Sequence, residues 1–197
     1  MTAALQYVRH GIGAVRRMST GNGSRPIVAN NSARSAHSRP ARVATTPASA
    51  EKQLKGFIDK FEPRHQTLIR AARKAIRRRL PTAFELAYDN YTFFVLGYGP
   101  TTRPSDCIVS LAAGASGLNL FFLQGVRLPD PKRVLLGAGS RTRFVRLASA
   151  TELSRPEIKA LLSAAIAQAR TPFSASTPGS LIIRSVSAKQ RPRRHDV

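Results

Sequence analysis

Between residues 84 and 147 apolar side chains alternate with polar ones in short runs, and turn-forming residues separate the runs. No other feature restricts the fold as strongly. Successive side chains of a strand point to opposite faces, so this alternation specifies a sheet with at least one buried face. Phe84, Leu86 and Tyr88 alternate with Glu85, Ala87 and Asp89. Asp89 and Asn90 tolerate a left-handed backbone and predict a tight hairpin into residues 91–98. Residues 93–96 are apolar on both faces, as a central strand requires. After a polar loop with Pro100 and Pro104, residues 107–113 and 118–123 form a second hairpin across the Gly114–Gly117 turn. Arg143–Leu147 and Leu181–Val186 read as two further strands. Four strands in tandem favour an antiparallel meander over alternating βαβ units.

Helical spacing brackets the strands. Leu54, Phe57, Ile58 and Phe61 recur on one face, and Pro63 opens a second segment carrying Leu68, Ala72, Ala75 and Ile76. Arg70, Arg73, Lys74, Arg77, Arg78 and Arg79 occupy the rest of that segment, which ends before Pro81. Residues 130–136 are predicted to make one or two helical turns. Ser154-Arg-Pro-Glu157 has capping-box spacing and opens a final helix with the stripe Ile158, Leu161, Leu162, Ala165, Ile166 and Ala169. The expected class is α+β, a mainly antiparallel sheet of about five to six strands packed against N-terminal and C-terminal helices.

The chain of 197 residues suits one domain with flanks, expected at 51–187. Residues 1–50, with seven arginines and no acid, read as a disordered basic N-terminal extension. Residues 188–197 read as a basic disordered tail. Residues 51–173 carry twenty basic and nine acidic side chains, and the whole chain has a net charge of +22. Such a chain attracts polyanions by counterion release whatever its fold, so non-specific nucleic acid is one expected partner. Leu5, Val8, Ile12 and Val15 beside Arg9, Arg16 and Arg17 have the look of an organellar presequence. A mitochondrial matrix location therefore stands beside the expected cytoplasmic one. No apolar run nears the ~18 residues of a membrane span, so no membrane partner is expected. The lone Cys107 excludes an intrachain disulfide framework and a cysteine-rich zinc site.

The motifs Leu80-Pro81, Glu85-Leu-Ala-Tyr-Asp-Asn-Tyr91 and Asn119-Leu-Phe-Phe-Leu-Gln-Gly125 together resemble the YdhG-like domain-of-unknown-function family. So do Leu128-Pro-Asp-Pro, Leu135-Leu-Gly-Ala-Gly139, residues 143–146 and the stretch from Ile183 to Pro192, so that the likeness spans about 51–192. The resemblance implies a YdhG-like fold without an assigned reaction, and distant relatives imply a frataxin-like role in intracellular iron delivery. Iron held on a surface wants a ridge of hard carboxylate oxygens. The first helical region offers Glu51, Asp59 and Glu62 beside a strongly cationic second half.

Candidate sites follow from residue type. Tyr88, Asp89, Asn90 and Tyr91 form a polar lip for a small-molecule pocket, together with Asn119. Gly137, Gly139 and Arg141 could cradle an anion through backbone amides and a guanidinium. Arg143 and Arg146 fall on opposite strand faces, and the inward one needs a carboxylate such as Glu85 or Asp89. Arg70, Arg73, Lys74, Arg77 and Arg78 suit backbone phosphates, with Lys189, Arg191, Arg193 and Arg194 as reinforcement. No nucleophile–base pair or metal spacing is present, so the expectation is a non-enzymatic domain without a cofactor that binds an unidentified anionic or small-molecule ligand.

Overall fold

The computed structural model describes residues 46–194. The expectations for 1–45 and 195–197 lie outside the described residues. The fold is α+β, with three helices and a six-stranded, mostly antiparallel sheet among the described residues. The helices are α1 (Pro47–Ile58), α2 (Pro63–Arg79) and α3 (Pro156–Ala167). The strands are β1 (Phe84–Asp89), β2 (Phe94–Gly99), β3 (Val109–Gly114), β4 (Gly117–Phe122), β5 (Arg143–Leu147) and β6 (Leu181–Val186).

The domain begins earlier than residue 51. The Thr46 hydroxyl accepts the Ser49 amide at 3.2 Å and Pro47 occupies the first turn, so 47–50 are helical. Strands β1 to β5 form the expected meander in the order β5-β4-β3-β2-β1, and β2 is buried along its whole length. After α3 carries the chain back across the sheet, β6 joins the outer edge of β1 in parallel. Its register shifts between Ala87 and Tyr88, leaving Arg184 as the extra residue of a bulge. Where the chain enters β6, a Cβ on Gly179 would run into the Ala83 carbonyl oxygen, so only glycine allows that approach.

Alternation sorts the two faces. Ala87, Leu96, Leu111, Leu120 and Val145 face the helices, where they meet Leu54, Phe57, Ile76, Ile158 and Leu162 in the main core. Leu86, Tyr88, Val95, Ala112 and Phe121 make a smaller cluster on the opposite face with Cys107. Leu96, Leu120 and Ile158 are fully buried, and each such large side chain contributes ~1.5–3 kcal/mol over exposure.

Two local expectations are corrected. Residues 130–136 are not helical: the Asp130 carboxylate accepts the Val134 and Leu135 amides at 3.0 and 2.8 Å. That satisfies them without a helical turn, and Leu136 then pairs with Phe144 in an antiparallel bridge. The capping box lies at Ser149 and Glu152, not at Ser154 and Glu157. Glu152 Oε1 accepts the Ala148 and Ser149 amides, at 2.7 and 3.1 Å, and opens the 3-10 turn Ala150–Ser154. That turn already uses Ser154, so α3 starts on Pro156 and Glu157 pairs with Lys132 at 2.8 Å.

Candidate functional site

The nine carboxylates of residues 46–194 decide which cations remain available. Glu51 and Glu85 both hold Arg73 and Arg77, and Asp59 holds Lys55 and Arg70. Asp89 holds Lys60 and Arg193, Glu62 holds Arg64, Asp106 holds Arg103, and Glu157 holds Lys132. Asp130 and Glu152 accept backbone amides. Every described acid is thus engaged. Among the described residues no group of three or more His, Cys, Asp or Glu could hold a metal ion.

The buried pairs tie helices to sheet. Arg73 reaches Glu85 at 2.7 Å and Glu51 at 2.7 Å, and the Tyr98 hydroxyl donates to Glu85 at 2.8 Å. Burial alone would lower the Arg73 pKa, but hydrogen bonds to Glu85 and Glu51 outweigh it and hold the guanidinium charged. Burial drives the Tyr98 phenol well above its ordinary range, and the Glu85 charge adds to that.

The ten residues expected to line a pocket do not converge. Asn119 and Arg146 are direct partners across β4 and β5, and Tyr88 lies in the same row on β1. Three strand spacings separate Tyr88 from Asn119, about 14 Å. Asp89 points the other way, towards the helices, and Tyr91 is exposed at the turn. Burial raises the Tyr88 phenol, Cys107 adds to the rise, and Arg184 partly opposes it. In the glycine loop, where Gly137 has φ 105°, the Arg143 guanidinium donates to the Gly139 carbonyl at 2.5 Å and the Thr142 carbonyl at 3.0 Å. Arg143 therefore takes backbone carbonyls as partners, not Glu85 or Asp89 as expected. Those two acids were already engaged by Arg73 and by Lys60 with Arg193.

The C-terminal segment corrects a second expectation. Arg193 is 4% exposed. It donates to the Thr92 and Asn90 carbonyls and to Asp89, and it stacks on Phe61 with its guanidinium carbon 5.4 Å from the ring centre. Arg194 donates to the Phe61 and Asp59 carbonyls just beyond α1, and Arg191 lies over Tyr91. Residues 188–194 are a docked strap across the β1–β2 turn, and Arg193 and Arg194 do not reinforce a basic surface.

A cleft of about 540 Å³ opens at the end of the sheet, where the β2–β3 loop, the segment after β4, the loop before β5 and the end of α3 meet. Its walls include Ile108, Phe122 and Leu128, and its polar lining includes Gln124, Gln168, Ser105 and Thr171. Arg127, Arg141 and Arg170 line it from three separate segments of the chain. Among the described residues none of these three guanidiniums has a hydrogen bond or ion pair. Asp106, also in the lining, is bound to Thr101 and Arg103, and those hydrogen bonds hold its carboxyl below the usual range against partial desolvation. Only Arg141 of this set is expected from sequence. Arg127 and Arg170 carry no local signal, because the contacts that group them exist only after folding.

On α2, Arg70, Arg73, Lys74, Arg77 and Arg78 line an open groove of about 370 Å³. Three of the five are committed to carboxylates. Lys74 and Arg78 are exposed and have no hydrogen bond or ion pair among the described residues. Cys107 is buried beside Asp106; desolvation first, then the Asp106 charge, pushes its thiol up to about 12. Comparison with protein-family models, curated proteins and solved structures finds no match to this chain. Among the described residues no helix is long and apolar enough to cross a membrane.

Proposed function

We propose that the chain is a YdhG-like binding domain that holds a small anionic ligand under Arg127, Arg141 and Arg170, without transforming it. One observation carries this reading: three arginines whose side chains hold no partner among the described residues line a single cleft from three separate segments, in a domain whose described carboxylates are all engaged. Gathering like charges is unfavourable unless an anion offsets them. The guanidinium fork matches carboxylate and phosphate oxygens in paired hydrogen bonds. A helix C-terminus favours a cation only within its last turn, and Arg170 lies beyond the Gln168 cap of α3, so the helix dipole accounts for none of the three.

The cavity volume falls within the ~300–1,000 Å³ of small-molecule sites. Ile108, Phe122 and Leu128 suit an apolar body attached to the anionic group. A binding role is further supported by the groups that catalysis would need. The Cys107 thiol is held protonated by burial, and His65, on α2, does not line the cleft.

Thermal unfolding tests the reading, with citrate, pyrophosphate and phenyl phosphate as probes. A ligand bound only by the folded state raises the midpoint with concentration, by ~2.7 kcal/mol at a hundredfold excess over Kd. At least one probe should stabilise the native sequence, and the Arg127→Gln/Arg141→Gln/Arg170→Gln variant should lose that response. Equal stabilisation of both proteins, or none of the native one, removes the basis for the proposal.

A further inference from the structure

The groove on α2 is separate from the cleft, and its cations are sorted in a way the sequence does not reveal. Asp59 fixes Arg70, and Glu51 with Glu85 fixes Arg73 and Arg77. Those residues are thereby positioned but largely neutralised. Lys74 and Arg78 stand between and beyond them, four residues apart on one face, exposed and without a counter-ion among the described residues. Like charges at this spacing repel, so the pair weakens an isolated helix. The groove is open and shallow, a poor enclosure for a small molecule and a suitable one for a chain lying along it.

We infer that Lys74 and Arg78 form a docking edge for the phosphate backbone of duplex nucleic acid. Residues 63–79 contain no Phe, Tyr or Trp, and their one ring, the half-buried His65, lies about two and a half turns from Lys74, so α2 offers no run of rings on which unpaired bases could stack. Contact is confined to phosphates, which position a duplex without reading its sequence. Arg70 and Arg77, each 43% exposed at the side chain, border the same groove and keep donors near it.

Fluorescence anisotropy of the full chain with labelled duplex DNA, duplex RNA and a single strand of the same length tests the inference. Each phosphate contact contributes about 0.9 to the slope of log affinity against log salt, so Lys74→Gln/Arg78→Gln should flatten the duplex slope by roughly 1.8. An Arg146→Gln/Arg184→Gln variant removes the same charge from the other face of the sheet and should leave that slope near the native value. Lys74 and Arg78 hold no partner, so their loss should not impair folding. Three outcomes overturn the inference: no duplex binding at ~50 mM salt, equal flattening in both variants, or tighter binding of the single strand.

Discussion

Truncating Arg193 to alanine removes a guanidinium that is 4% exposed and leaves its acceptors behind. Two carbonyls, Thr92 at 2.6 Å and Asn90 at 2.5 Å, lose their donor, and Asp89 Oδ1 loses a cation at 3.2 Å. Asp89 is fully buried, so water cannot replace what is lost. Breaking a buried ion pair from one side costs ~3–5 kcal/mol. Lys60 still holds the other Asp89 oxygen, which places the expected loss at the lower end, about 3 kcal/mol. For a domain of this size that corresponds to a drop of roughly 6–12 °C in midpoint. Thermal and urea unfolding of the native and Arg193→Ala proteins measure it, with the urea m-value unchanged. Arg193→Lys restores the charge but not the three-way fork and should recover only part of the loss. A change under ~1 kcal/mol, the size of an ordinary surface substitution, would refute the docking of this segment against Asp89.

Two further outcomes concern titration. The Arg73 hydrogen bond, against partial desolvation, holds the Glu51 carboxyl below its usual value, and the Arg73 and Arg77 charges assist. A carboxyl whose folded pKa is depressed stabilises the fold above its unfolded value of ~4.3, and that stability is lost as pH falls through the folded value. Glu51→Gln should therefore be less stable than the native protein near neutrality, and urea titrations should show the gap closing in acid; a gap independent of pH contradicts the pairing. Cys107, with its thiol pushed up to about 12, should resist a disulfide reagent at about pH 8 until the protein is unfolded in urea. Rapid stoichiometric labelling of the native fold would contradict its burial.

The strand pattern was legible because it is a local property. Leu86 and Tyr88 on one side and Glu85, Ala87 and Asp89 on the other follow from the pleat alone, and the structure keeps that division. The helical stripe through Ile158, Leu161, Leu162 and Ala165 was legible for the same reason. Residues 130–136 misled because a single carboxylate, Asp130, replaced the turn that the spacing suggested. The last residues misled because Lys189, Arg191, Arg193 and Arg194 look alike in sequence, and only Arg193 meets a buried acid. The basic helix misled in part, since Arg73 and Arg77 were exposed cations on paper and pair with Glu51 and Glu85 in the fold.

By itself the sequence determined the α+β class, the order of helices and strands, and which side of each strand is greasy, because period and turn chemistry act over a few residues. Tertiary structure alone decided which positive charges are spent and which are free. A charge has no fixed worth until its neighbours are set, and those neighbours can lie far along the chain, as Asp89 lies 104 residues from Arg193. Arg127, Arg141 and Arg170 line one cleft and Lys74 and Arg78 one groove without counter-ions because folding pairs every described acid, Asp106 in the cleft wall included, with other groups.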